Sequence, residues 1–211
     1  MIVYKAIIIT LLGIVILNIP PAEIKENENM KDPLLFHLYK IGNLHNCYFT
    51  IESAWTDENP KSLEYSEINV SEEKDGLQSN LSYLQQTLPN FTYLINESNN
   101  RIIHIVDTRL LKQKNYGLTM VMKNVDFSGL LWQLPDYIGK QGFPVIKETV
   151  FGTVEGAGVD FTTVVKVTGD NLQVRDVLSN YIPLDERGRI LWIARTKLGN
   201  GESSRVFFKM K

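Results

Sequence analysis

The chain has 211 residues, 44% of them hydrophobic, and a formal net charge of −2 at pH 7. This composition is ordinary for a globular protein, and the length allows one large domain or two small ones. Cys47 is the single cysteine, which excludes an intrachain disulfide. Residues 22–100 carry 5 Lys or Arg and 13 Asp or Glu, whereas residues 161–211 carry 9 and 5. The basic end lacks the charge density and interleaved aromatic residues of a nucleic-acid surface, so no nucleic-acid partner is predicted.

Residues 1–22 are predicted to be a secretory signal peptide or an N-terminal membrane anchor. Lys5 is the only charged residue among the first 19, and residues 6–17 are almost entirely apolar, which is the layout of a secretory signal. The anchor alternative is weakened by length, because spanning a bilayer takes ~20 apolar residues. The cleavage alternative is weakened by Pro20, Pro21 and Ala22, which make a poor cleavage site. Both alternatives predict export to the periplasm or the exterior, with membrane contact only through this segment if it is uncleaved.

A polar spacer at residues 23–31 precedes a predicted N-terminal helix. Asp32 can cap this helix, Pro33 fits its first position, and Gly42 can take the left-handed conformation that ends it. Four apolar residues are expected on one face, namely Leu34, Leu35, Leu38 and Ile41. A strand follows over residues 47–54, with Cys47, Phe49 and Ile51 on one side.

Residues 68–109 have the order strand, helix, strand, strand. After a first strand within residues 63–70, the helix carries an apolar stripe and should end at Pro89; the stripe is Leu77, Leu81, Leu84 and Leu88. Two strands joined by a turn at residues 96–100 follow, at residues 91–96 and 102–107.

Residues 164–211 repeat this order, and a partial copy lies between the two. The last helix carries Val174, Val177, Leu178 and Tyr181 on one face, and Pro183 should end it. The partial copy has a strand at residues 119–125 and a helix from Ser128 to about Lys140, which Pro135 should kink or divide. The pattern predicts an α+β fold of two or three small βαββ modules in series with an additional N-terminal helix. The predicted domains are 32–112 and 113–211, with the boundary in the polar stretch 109–117.

The segment VVKVTGDNLQVRDVLSNYI, residues 164–182, carries a resemblance to a known family. Its apolar strand, polar turn and helix with Leu172, Val174, Asp176, Val177 and Leu178 resemble the secretin/TonB short N-terminal (STN) module and related secretin N-domains. The middle segment has the same order, with Pro135 as a departure. The resemblance covers 40 to 50 residues at a time, and neither a secretin pore segment nor a β-barrel follows. It implies a periplasmic protein-contact module.

Residues that could carry chemistry are few. His45 and Cys47 are two apart, so on a strand they would point the same way, and with His37 they could supply three metal ligands. The alternative is that Cys47 is a buried small side chain and the histidines are partly exposed. Residues 152–158, GTVEGAG, lack the Lys-Ser/Thr of a phosphate loop. The chain has no serine elbow and no HExxH motif, so a non-enzymatic protein without cofactor is predicted.

The last two strands are predicted to form a contact surface. Ile190, Trp192 and Ala194 should pack inward, and the opposite face, with Leu191 and Ile193, is expected either to be buried by a neighbouring module or to be a mixed apolar–basic surface. Four cations are candidate partner contacts for an acidic protein or for the acidic half of a second copy, namely Arg189, Arg195, Arg205 and Lys209. The predicted function is a non-enzymatic, cell-envelope protein-binding or scaffold protein that also uses open sheet edges. The alternative is an exported metal-dependent protein or enzyme using His37, His45 and Cys47.

Overall fold

The computed structural model describes residues 5–10, 13–18, 33–57, 76–88, 90–147, 163–182, 184, 188–199 and 204–208. The chain divides into two compact units, Met1–Lys31 and Asp32–Lys211. In the first unit, strands β1 (Lys5–Thr10) and β2 (Gly13–Asn18) form an antiparallel pair. The segment that is predicted to direct export therefore contains paired strands, and export itself stays a prediction. Within the residues described, no helix is long and apolar enough to cross a membrane.

The second unit contains both helices and strands. The helices are α1 (Pro33–His45), α2 (Leu77–Thr87), α3 (Thr108–Leu111), α4 (Leu134–Lys140) and α5 (Val174–Ser179), with 3-10 turns at Gly117–Thr119 and Leu131–Gln133. The strands are β3 (Tyr48–Trp55), β4 (Phe91–Ile95), β5 (Ile102–Asp107), β6 (Val121–Met122), β7 (Val125–Leu130), β8 (Val145–Lys147), β9 (Val164–Gly169), β10 (Leu172–Gln173), β11 (Ile190–Lys197) and β12 (Ser204–Phe208). This content confirms the α+β class.

A mixed six-stranded sheet of order β4-β5-β3-β11-β12-β8 organises the second unit. Strand β3 lies in its middle, parallel to both β5 and β11. Strands β6 and β10 form one separate antiparallel pair, and β7 and β9 form another. The sheet takes strands from both sides of the predicted boundary between residues 112 and 113. The expectation of βαββ modules in series is thus wrong in its strand pairing, because β3 binds β11 directly and β9 pairs outside the main sheet.

Apolar layers cover both faces of the main sheet. One layer contains the buried faces of α1 and α2 with Phe49 and Ile51 of β3. The other contains residues of α4, α5, β7 and β9 with Tyr48 of β3 and Trp192 of β11. Alternate residues of β3 therefore face different cores, so this strand is buried on both faces. The predicted apolar face of α1 and the shared side of Cys47, Phe49 and Ile51 are confirmed.

The sequence predicts that helix α1 ends at Gly42, but the helix continues to His45. Asn46 takes the left-handed conformation, with φ 52°, and the Cys47 N–H donates to the Gly42 carbonyl at 3.1 Å. This bond is the six-to-one bond of a Schellman motif. A Cβ at residue 42 would lie 2.9 Å from both the Arg189 Cβ and the Cys47 carbonyl oxygen. The glycine is required by close packing and not by its φ.

Strand β11 is buried on both faces. Of the two alternatives for its second face, burial is therefore the one that the structure supports. Its alternation is interrupted, because the pairing with β3 shifts register between Ile190 and Trp192. Ile190 therefore joins the core beside α1 and α2, whereas Leu191, Trp192 and Ala194 join the opposite core. The expectation that Ile190 and Trp192 share a face is wrong because of this irregularity.

The middle of the chain also differs from expectation. Ser128 lies within β7 and does not cap a helix, and Pro135 lies in the first turn of α4 instead of kinking a longer helix. The predicted strand at residues 119–125 is divided between β6 and the start of β7, because Asn124 turns the chain with φ 51°. Several predicted features lie outside the described residues: the spacer at 23–31, Asp32, the strand within 63–70, Pro89, residues 152–158, Pro183 and Lys209.

Candidate functional site

The most unusual chemistry of the second unit is a buried carboxylate in the central strand. Glu52 lies on β3 between Ile51 and Ser53, and its exposed fraction is 0%. Strand alternation turns its side chain away from α1 and α2, toward α5. A carboxylate in this position is costly unless donors surround it.

Two side chains from the C-terminal half of the sequence satisfy Glu52. Arg175, on α5, donates from Nε to Oε1 at 2.5 Å and from Nη2 to Oε2 at 2.8 Å, a two-bond arrangement of planar groups. Tyr116 donates its hydroxyl to Oε2 at 2.9 Å. Arg175 and Tyr116 are themselves buried. Three donors therefore meet one carboxylate in the core.

Burial and the charge of Glu52 shift the pKa values of both partners, Tyr116 and Arg175. Burial, followed by the charge of Glu52, raises the pKa of Tyr116 well above its ordinary value. For Arg175, burial alone would lower the pKa, but the charge and hydrogen bonds of Glu52 outweigh it and the pKa is raised. Tyr116 is neutral and Arg175 is charged across the physiological range.

A second polar chain runs beside this ion pair and reaches the surface. His104 of β5 lies opposite Thr50 of β3, and its Nδ1 is 2.8 Å from the Thr50 Oγ1. Its Nε2 lies 3.3 Å from Nδ2 of Asn96, which also donates to Oδ1 of Asp176 at 2.8 Å. Because the amide nitrogen can only donate, Nε2 accepts, so Nδ1 carries the hydrogen toward Thr50. The side chain of Asp176 is 34% exposed, whereas the other three hydrogen-bonded side chains, Thr50, His104 and Asn96, are buried.

The electrostatics of His104 do not favour base catalysis. Burial, with a smaller effect of Arg175, lowers the pKa of His104 to about 3. An imidazole with this pKa is a weak general base at neutral pH, and Thr50 beside it is fully buried. Burial raises the pKa of Asp176, with Arg175 opposing the rise. The arrangement joins β3, β5 and α5, and it offers no accessible nucleophile.

Sequence reasoning missed Glu52, Tyr116 and Arg175 as a group. One signal was present, because Glu52 interrupts an otherwise buried strand pattern in FTIESAW. Nothing local indicates its partners, since Arg175 lies 123 residues away in the chain and Tyr116 lies 64 away.

The three predicted metal ligands are not assembled into a site. The described part of the chain contains no group of three His, Cys, Asp or Glu residues that could hold a metal ion. His45 Nε2 lies 3.4 Å from the Asn80 amide nitrogen, and His37 is buried. Burial raises the pKa of Cys47 to about 11, which disfavours the thiolate that binds metals. The alternative based on His37, His45 and Cys47 is therefore not supported.

The candidate contact cations occupy different environments. Arg189 is buried against the end of α1, donating from Nε to Asn43 Oδ1 at 2.9 Å and from Nη1 to Asn46 Oδ1 at 3.1 Å. Arg195 and Arg205 are direct partners in the β11–β12 pair, so the structure does bring these two together. Arg205 is exposed and Arg195 half-buried. The four cations therefore do not form one exposed surface, because Arg189 turns inward.

Comparison with known proteins gives no further assignment: no family model, curated protein or solved structure matches the chain. The resemblance to STN and secretin N-domain modules stays a prediction.

Proposed function

We propose that this chain is a non-enzymatic protein-binding or scaffold protein of the cell envelope, exported through its N-terminal apolar segment. Its contact element is the outer edge of β4, which accepts an extended strand from a protein partner. The observation that carries the proposal is that the outer edge of β4 has backbone groups directed outward and side chains that are uncharged and partly apolar.

Strand β4 ends the main sheet and, among the described strands, pairs only with β5. Asn96 N–H donates to the Ile102 carbonyl and Thr108 N–H to the Asn90 carbonyl, so even-numbered residues of β4 face β5. In an antiparallel ladder the alternate residues point their backbone groups the other way. Tyr93 and Ile95 therefore direct N–H and C=O groups outward, as strand addition requires.

The side chains of β4 lack the devices that normally protect an edge. Its sequence, FTYLI, contains neither a charged residue nor a proline. Leu94 and Ile95 are 36% and 50% exposed. Natural edges are blunted by charge, proline or shortness, and the opposite edge, β8, is only 3 residues long. An uncharged, partly apolar edge of 5 residues is consistent with a surface that is covered by a partner.

The internal polar groups support a binding role over catalysis. Glu52, Arg175 and Tyr116 satisfy one another in the core, and His104 is neutral and enclosed. These groups use their hydrogen-bonding capacity to hold the sheet and α5 together. In the described residues, these hydrogen bonds connect the sheet behind β4 to α5.

The test is capture of a partner from a cell-envelope fraction by the purified chain, followed by binding measurements with the identified, purified partner. Ile95→Pro removes an outward N–H and leaves the bonds to β5 in place, because proline is tolerated at an edge position of this kind. We expect this variant to retain its circular dichroism spectrum and to lose at least tenfold in affinity.

Two further variants distinguish strand addition from non-specific binding to exposed apolar side chains. Ile95→Lys places a charge on the edge and should also weaken binding, whereas Val164→Lys changes an apolar side chain of β9 that is likewise exposed and should not. Equal binding by the wild-type chain and a folded Ile95→Pro variant would refute the edge as the contact element. Loss of binding in Val164→Lys alone would move the contact to β9.

A further inference from the structure

A pair of arginines converges on the C-terminal end of α1. Arg101 donates from Nε to the Asn46 carbonyl at 3.2 Å and from Nη2 to Asn46 Oδ1 at 2.7 Å. The same Oδ1 accepts the Arg189 Nη1 bond at 3.1 Å. One neutral amide oxygen therefore receives donors from two guanidinium groups.

Local sequence places each member of this group. Asn46 adopts φ 52°, a conformation that asparagine tolerates and that turns the chain out of α1. Gly42 lets the Arg189 stem lie against α1, since a Cβ there would meet the Arg189 Cβ at 2.9 Å. Both guanidiniums also lie over the Tyr48 ring, with Arg101 at 5.2 Å and Arg189 at 4.9 Å from its centroid.

Within the described part of the chain, no carboxylate is hydrogen-bonded to either guanidinium. Among the residues that the structure describes, the hydrogen-bond acceptors of both guanidiniums belong to Asn43 and Asn46. Arg189 is only 6% exposed, and a buried charge is costly without a charged partner. Each guanidinium uses two N–H donors of the five it carries, so donors remain on both.

The arginine pair lies at the surface of the part of the chain that the structure describes. Asn43, Asn46 and Arg101 are exposed, and the buried Arg189 contacts both asparagines. Burial, the largest influence, raises the pKa of Cys47, and both arginines act to lower it. This opposing effect is what a local positive potential produces.

We propose that Arg101 and Arg189 form a binding site for a carboxylate group, which goes beyond the strand-binding role of β4. Asn46 Oδ1 already accepts from both guanidiniums, so the carboxylate would bind the guanidinium donors that Asn43 and Asn46 leave unused, and these donors match its planar shape. The C-terminus of α1 adds a partial negative charge of about half an elementary unit, which opposes the binding of any anion and opposes a doubly charged anion more strongly. A singly charged carboxylate group is therefore favoured over the doubly charged phosphate.

The experiment is thermal unfolding of the full chain with sodium succinate, sodium phosphate or sodium chloride at equal ionic strength. Succinate at about 100-fold above its Kd should raise the Tm of the wild-type chain by roughly 5–10 °C. Arg101→Gln alters an exposed side chain and should reduce this shift at least threefold. The matched control, Lys114→Gln, removes an exposed cation elsewhere and should leave the shift unchanged.

Asn46→Asp is the decisive variant because it places a carboxylate at the convergence point without changing side-chain size. It should raise the Tm in the absence of succinate and abolish the succinate shift. A lower Tm for Asn46→Asp, or equal shifts with succinate and chloride in the wild-type chain, would overturn the site. A larger shift with phosphate than with succinate would overturn the assignment of carboxylate as the ligand.

Discussion

Glu52→Gln is the substitution whose cost follows most directly from the structure. Glutamine has the shape of glutamate, but it replaces one acceptor oxygen with an NH₂ group facing the donors of Arg175 or Tyr116. Arg175 would then be buried without a counter-charge. Breaking a buried ion pair from one side costs about 3–5 kcal/mol, a large share of the ~5–15 kcal/mol by which domains are stable.

Urea unfolding of the full chain, followed by the fluorescence of buried Trp192, measures this cost. The cycle is completed by Glu52→Met, Arg175→Met and the double variant. Each single methionine leaves one buried charge alone and should cost about 3–5 kcal/mol, whereas the double variant removes both charges and should cost much less than their sum. Tyr116→Phe should cost about 1.5–3 kcal/mol, because it removes one hydrogen bond to a charged group.

Two outcomes would contradict this reasoning. A loss below about 1 kcal/mol in Glu52→Gln would mean that solvent replaces the lost interaction. Additive losses in the Glu52→Met and Arg175→Met cycle would mean that the two side chains do not act as a pair.

Three further predictions concern other parts of the chain. Gly42→Ala should destabilise the protein by about 1–3 kcal/mol in urea unfolding, because the added methyl meets Arg189 and the Cys47 carbonyl; a neutral result would mean that α1 shifts freely. The folded-state pKa of His104, about 3, lies below its unfolded value of about 6.5, so the unfolded chain binds more protons between these values. The free energy of unfolding should therefore be highest above pH 6.5 and should fall by a few kcal/mol as the pH is lowered toward 3. A His104→Asn variant, measured at pH 7 and pH 4, should lack this part of the pH dependence. Deleting residues 1–19 should retain the product in the cytoplasm on cell fractionation, and unchanged export would refute the signal.

Local periodicity was sufficient to predict individual elements. The apolar stripe of α2 and the sides of β5 follow from spacings of 3.6 and 2 residues, and Leu81, Leu84 and Ile103 are buried in one core. These patterns depend on neighbours in sequence, so they can be read without knowing the rest of the fold.

The pairing of strands could not be predicted in the same way. Strand β3 pairs with β11 across more than half of the chain, and both strands are buried on two faces, which hides the alternation that would indicate a partner. A repeated order of strands and helices therefore suggested separate modules, whereas one six-stranded sheet joins strands from both halves of the chain. The arginine pair was missed for a related reason: Arg189 followed a surface-like pattern, but the missing side chain at Gly42 lets it approach α1.

The polar contacts of the core suggest how the long-range pairing is specified. Because β3 and β11 carry apolar side chains on both faces, a one-residue slip would still bury part of their hydrophobic surface, so packing penalises it less than in a strand with one polar face. It would, however, move Glu52 away from Arg175 and leave two buried charges unpaired. The Asn46–Arg189 contact, across 143 residues, fixes the start of β11 against the end of α1 in the same way. The buried charged residues thus distinguish the native register from registers shifted by one residue. They also connect two halves of the chain that the sequence pattern presents as independent.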